Sequence, residues 1–132
     1  MIQYFQPRPF INLTQTWFIW LLVSMMVFLN TGYIWGLFFS PLETVQGLSV
    51  KILFIHVPAA WLALFSYAHL GLFSLLYLSS KSLVAYFLAR SCCLVGIAFT
   101  CVCLVSGSLW GLPTWGTWWV WDARLTSVLI LL

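Results

Sequence analysis

The sequence predicts an all-α integral membrane protein, and three observations carry that prediction. Of its 132 residues, 64% are hydrophobic and only 5% are charged, whereas a soluble domain carries roughly 25% charged residues. The mean hydropathy is +1.07. Uncharged runs long enough to cross a bilayer, about 20 residues each, recur along the chain. Seven charged side chains cannot coat a water-soluble surface, which excludes soluble enzymes, secreted disulfide scaffolds and nucleic-acid modules. The five basic residues, Arg8, Lys51, Lys81, Arg90 and Arg124, are scattered and form no patch for gripping phosphates.

Residues 1–16 hold two prolines, Arg8 and several polar groups, and read as a short extended tail. The first spanning helix covers 17–39, a stretch of 23 residues without a charge and with tryptophans near its ends. It is too long for a cleavable signal peptide, and no small-x-small cleavage site follows it. A polar connection, 40–51, carries Glu43 and Lys51. The next apolar run is divided by Pro58, which suits a first helical turn, whereas the residue before a proline resists the α conformation. The second helix is therefore expected over 58–78, leaving 45–57 as an interfacial segment with His56 at the membrane–water boundary. Residues 79–90, with Lys81 and Arg90, read as a loop, and 91–109 as the third helix. A Trp-rich loop fills 110–122, and 123–132 opens a fourth helix that reaches only about 15 Å, half a bilayer. Counting Lys and Arg places the N-terminus and 79–90 on the cytoplasmic or matrix side. His56 and the Trp-rich loop then share the outer face.

Tryptophan is the outlying residue type. The chain has nine where average composition supplies about two. Five of them, Trp110, Trp115, Trp118, Trp119 and Trp121, fall in the run WGLPTWGTWWVWD over 110–122. Gly111, Pro113 and Gly116 favour turns in its first half. A helical second half would set Trp115, Trp118, Trp119 and Asp122 on one face. A shelf of indoles at a membrane surface suits a large, flat, mostly apolar ligand. An aromatic belt anchoring an interfacial turn is the plainer alternative. Asp122 and Arg124 have plain roles of their own, as a helix cap and a rim ion pair.

A neutral His56 at the interface can ligate a metal while its other ring nitrogen is held by a neighbour. His69, 11 residues beyond Pro58, falls near the bilayer centre, where an ionisable residue marks a functional site or bonds a neighbouring helix. The histidines are about 20 Å apart on a continuous helix, so they do not share one iron. Cys92, Cys93, Cys101 and Cys103 lie within the third span without a Cys-x-x-Cys pair and read as small apolar residues. Glu43 and Asp122, the only carboxylates, lie in different loops, and no nucleophile–base pair or phosphate loop is present.

The Trp-rich run resembles the "WWD" signature of heme-handling membrane proteins. Together with HVPAAW at 56–61, which argues against the related CcmF and CcsA proteins, it resembles the CcmC family, heme exporter protein C of cytochrome c maturation. The resemblance covers about 17–132. It implies a six-helix bundle, of which this chain is the N-terminal part. It implies heme b held outside the inner membrane by a Trp110–Asp122 platform, with His56 as an axial ligand. The family's second axial histidine lies in a third outer loop, beyond residue 132. Heme passes to the chaperone CcmE, with CcmA, CcmB and CcmD as partners. The location implied is the bacterial inner membrane with a periplasmic Trp-rich loop, or the mitochondrial inner membrane. Charge alone adds that Arg124 is placed to pair with a heme propionate. The leading expectation is a non-enzymatic binding and transfer module. A heme lyase of the CcmF or CcsA kind, and a structural subunit with no heme role, are the competing readings.

Overall fold

The computed structural model describes residues 7–132, and every regular element in that range is helical. Helix α1 runs Pro7–Ile34 and continues through a π-helical turn, Trp35–Phe39. A 3₁₀ turn, Leu48–Ile52, leads into α2, Leu53–Ser80, then α3, Leu83–Trp115, and a short α4, Ala123–Leu131. Three of the helical stretches are long and apolar enough to cross a membrane.

Each of the three long helices extends beyond its expected start, and α4 runs as expected from residue 123. The expected tail is helical from residue 7, and its first six residues lie outside the described range. The prolines at 7 and 9 fall in the first turn, whose N–H groups have no intrahelical acceptor anyway. Thr14 and Thr16 then return their hydroxyls to backbone carbonyls of the preceding turn, so polar side chains persist in the helix. Helix α2 starts five residues before Pro58 and keeps that proline inside it. Only one backbone bond, to the carbonyl of Phe54, is forgone there, a loss that membrane helices tolerate. The expected interfacial segment is thus partly helix, and His56 occupies the first turn of α2.

The expected loop at 79–90 contracts to Lys81 and Ser82. Lys81 adopts a left-handed conformation, φ 52°, and its N–H bonds Tyr77 O at 2.8 Å, closing α2 as a C-cap. Val84 and Ala85 at the start of α3 are buried against α2. Arg90 is exposed on this helix, where its long stem lets the charge reach the headgroups. At the other end α3 passes through Pro113 to Trp115 and stops at Gly116, φ 73°, whose N–H bonds Leu112 O.

Helices α2 and α3 form an antiparallel hairpin that is the core of the chain. Its seam is built from small residues: Ala59, Ala63 and Ser66 on α2, with Gly96, Thr100, Cys103 and Gly107 on α3. In lipid no hydrophobic force drives helices together, and small residues allow the close backbone approach that does. A Cβ added at Gly96 would meet the Tyr67 ring at 3.3 Å. Helix α1 touches this hairpin at its π turn, where the Phe54 ring lies 2.7 Å from where a Gly36 Cβ would stand. Lys51 Nζ also donates to Leu37 O, joining the 3₁₀ turn to the same place.

Candidate functional site

The hairpin brings the first turn of α2 against the last third of α3. His56 Nδ1 lies 3.0 Å from Ser106 Oγ, and the imidazole packs so closely on α3 that a Cβ at Gly107 would stand 3.1 Å from its Cε1. The Trp110 ring sits one turn further along α3, 6.0 Å from His56 between centroids and tilted by 51°. Its Nε1 donates to Gln46 Oε1 at 3.0 Å, which fixes the indole against the connection before α2.

These groups line a cleft of about 240 Å³, walled by His56, Trp110, Trp115 and Arg124 with apolar side chains of α2, α3 and α4. The cleft is mostly apolar, with one imidazole, two indoles and one cation in its walls. Trp115 and Arg124 are paired within it, the guanidinium carbon lying 5.6 Å from the indole centroid.

Between Gly116 and Asp122 the chain is not helical, so Trp118, Trp119 and Asp122 do not share a helical face with Trp115. Gly111 and Pro113 do not make the turns expected of them; Gly116 alone ends the helix, because only there does the backbone take a positive φ. Trp118 and Trp121 are 54% and 76% exposed, and neither walls the cleft. Trp119 packs edge-on to Trp121, 5.6 Å apart, and its buried Nε1 has no acceptor among the described residues. Such a donor is costly to leave unpaired.

Asp122 caps α4. Its Oδ1 accepts from Leu125 N at 2.8 Å, and its Oδ2 takes the Arg124 guanidinium at 2.8 Å. Both plain roles expected of this pair are therefore present. The Leu125 amide, and then the Arg124 hydrogen bond, hold the Asp122 carboxyl below its ordinary pKa. A depressed carboxylate stabilises the fold above the unfolded pKa, about 3.9. That stabilisation is lost as pH falls through the lower folded value. Protection of the Leu125 amide from hydrogen exchange should accordingly fall as pH drops below about 4. Asp122→Asn, which still caps but cannot ionise, should flatten that dependence. An equally steep loss in Asp122→Asn would remove the carboxylate from the account.

His69 stands apart from the cleft. Its Nδ1 bonds Phe65 O of its own helix at 2.8 Å, and its ring packs between Phe65 and Phe73. The four cysteines are free thiols, and among the described residues no group of His, Cys, Asp and Glu forms a metal cluster. Sequence reasoning missed Ser106, Gly107 and Gln46 as parts of the site. Gly107 had a signal in the small-residue spacing of α3, whereas Gln46 and Ser106 had none.

Fold and site together define a polytopic α-helical membrane protein with a histidine–tryptophan cleft at one end of its central hairpin. A family model described as CcmC, heme exporter protein C, matches residues 1–132, and the chain belongs to that family. It is 44% identical to heme exporter protein C of Escherichia coli K12 over 117 residues, 88% of this chain and 48% of that relative. Heme exporter protein C of Rhodobacter capsulatus is 36% identical over 129 residues, 98% of this chain and 53% of the relative. A ccmC-like mitochondrial protein of cytochrome c biosynthesis from Marchantia polymorpha is 42% identical over 114 residues, 86% and 47% of the two chains. The chain thus spans about half the length of the curated relatives it matches.

Proposed function

We propose that this chain holds heme in the cleft and passes it on for cytochrome c maturation, as a binding and transfer module rather than an enzyme. The observation that carries this reading is the convergence of His56, Trp110, Trp115 and Arg124 on one apolar slot in a member of the heme exporter protein C family. His56 supplies an imidazole lone pair to the iron. Trp110 and Trp115 offer stacking faces to the porphyrin, a flat aromatic of the kind that indoles bind at low entropy cost. Trp118, Trp119 and Trp121 extend that platform outward, and the unpaired Trp119 Nε1–H is a donor for a bound polar group. Arg124 pairs with a propionate, exchanging its contact with Asp122 for a second carboxylate.

The cargo on this reading is heme b, received by the chaperone CcmE, with CcmA, CcmB and CcmD as companion subunits. The cleft faces the outer side of the inner membrane, periplasmic in bacteria or intermembrane in mitochondria. Asp122 is engaged as the cap of α4, which favours binding and transfer over a lyase that would need it as a proton donor.

The test is the visible absorption spectrum of the chain purified in mild detergent from a heme-competent host. A Soret band with near-stoichiometric heme is the expected result. A blank spectrum here, and again after titration with heme, would sink the proposal.

A further inference from the structure

The hydrogen bonds around His56 assign a role to a residue that the heme reading leaves unused. Ser106 Oγ lies 2.6 Å from Val102 O, 3.2 Å from Cys103 O and 3.0 Å from His56 Nδ1. A serine hydroxyl has one proton and two lone pairs, and a backbone carbonyl can only accept. The proton therefore lies on the short line to Val102 O, since two oxygens at 2.6 Å without a proton between them would repel. What Ser106 turns toward the imidazole is then a lone pair. His56 Nδ1 must be the donor, and a neutral ring protonated at Nδ1 carries its free lone pair on Nε2.

From this geometry we infer that Ser106 is a positioning residue: it holds His56 as the Nδ1–H tautomer and so leaves Nε2 as the nitrogen that can bind iron. The inference rests on the heme reading for its purpose, though not for its chemistry. Ligating histidines commonly donate their second ring nitrogen to a neighbour that fixes tautomer and orientation. Here the neighbour is a helix-bound hydroxyl, itself fixed by bonding back to its own helix. Gly107 completes the seat, because any side chain there would push the ring edge away from Ser106. Cys103 Sγ, 4.0 Å from the same nitrogen, is too distant and too weak an acceptor to replace the hydroxyl. The ring's side-chain contacts, with Ser106 Oγ and Cys103 Sγ, are both made by Nδ1, and the Cys103 backbone hydrogen-bonds the imidazole as well. A free imidazole in water prefers the opposite tautomer, so the Nδ1–H form is a property the protein imposes.

The tautomer can be read without any heme. Nitrogen NMR of the isotope-labelled, heme-free chain in detergent distinguishes a protonated ring nitrogen from a bare one at each histidine. His69 serves as an internal reference, since its Nδ1 faces a carbonyl and must be protonated in every variant. Wild-type His56 should show a protonated Nδ1 and a bare Nε2. Ser106→Ala should lower the Nδ1–H population at least threefold, and Ser106→Thr should restore it. Heme affinity should follow, falling about 10-fold in Ser106→Ala, at the lower end of what second-neighbour losses cost a metal site. It should recover in Ser106→Thr.

A wild-type His56 protonated at Nε2 overturns the inference outright, whatever the variants do. So does a Ser106→Ala chain whose tautomer is unchanged. If the tautomer follows Ser106 while no version of the chain takes up heme, the hydrogen bond stands. The purpose given to it then falls together with the heme reading.

Discussion

His56→Ala should empty the site: heme copurifying with the chain should fall below detection, and affinity for added heme should drop by more than 100-fold. The expected loss exceeds the 10–100-fold typical of partners one shell out, because the variant removes the ligand itself and not its support. The fold should survive. Ser106 keeps its hydroxyl bond to Val102 O when the imidazole is gone, so no buried donor is orphaned. The space left beside Gly107 opens on the cleft, among Ala60, Cys103, Leu104 and Trp110. Exogenous imidazole should enter it and return the Soret band, a rescue that general unfolding would not permit. His69→Ala is the matched control. It lies 13 residues along the same helix, about 20 Å away, and its Nδ1 bonds the Phe65 carbonyl of that helix. Heme retained undiminished in His56→Ala would show that the iron is held elsewhere.

The two ends of the chain were unequally legible. Fold class followed from composition, since seven charges in 132 residues leave no soluble alternative. Helix extents did not, because hydropathy reports the lipid-crossing stretch and not the hydrogen-bonded one. Lys81 and Arg90 are equivalent as loop markers in the sequence, yet one closes α2 with a positive φ and the other rides on α3. What separates them is packing: Val84 and Ala85 bury against α2 and commit the segment to helix before Arg90 is reached. Prolines misled for a related reason. Pro58 and Pro113 each forgo one backbone bond near a helix end, a cost the surrounding turns absorb.

Within the site, residue type was informative and depth was not. His56 and the tryptophans were evident because interfacial imidazole and clustered indoles are unusual. Their meeting at 6.0 Å needs the antiparallel return of α3, which an outward-facing loop alone does not give. The unwinding after Gly116 also escaped, since 3.6-residue spacing in Trp115, Trp118, Trp119 and Asp122 fits a helix that the αL residue interrupts. Ser106 was unremarkable as a residue, and only the distance to Nδ1 distinguishes it from the other serines on the helices.

That division among the tryptophans yields the second large effect. Trp110 and Trp115 wall the cleft beside His56, and each is held there, one by Gln46 and the other by stacking under Arg124. Trp118 and Trp121 stand exposed outside it. Losing a stacked indole should cost about 2 kcal/mol of apolar and aromatic contact, roughly 30-fold in heme affinity. Trp110→Ala and Trp115→Ala should each show that loss by heme titration, while Phe at either position recovers most of it. Trp118→Ala and Trp121→Ala should change heme affinity less than about threefold, under 1 kcal/mol. Their effect should fall on transfer to the acceptor, since they form the part of the platform a partner can reach. Circular dichroism on each variant separates these losses from unfolding. An aromatic belt would give a different pattern, with all four positions alike and indifferent to Phe, because anchoring depends on depth in the interface and not on which wall an indole forms. A larger loss at Trp118 or Trp121 than at Trp110 would move the heme out of the cleft and onto the exposed shelf.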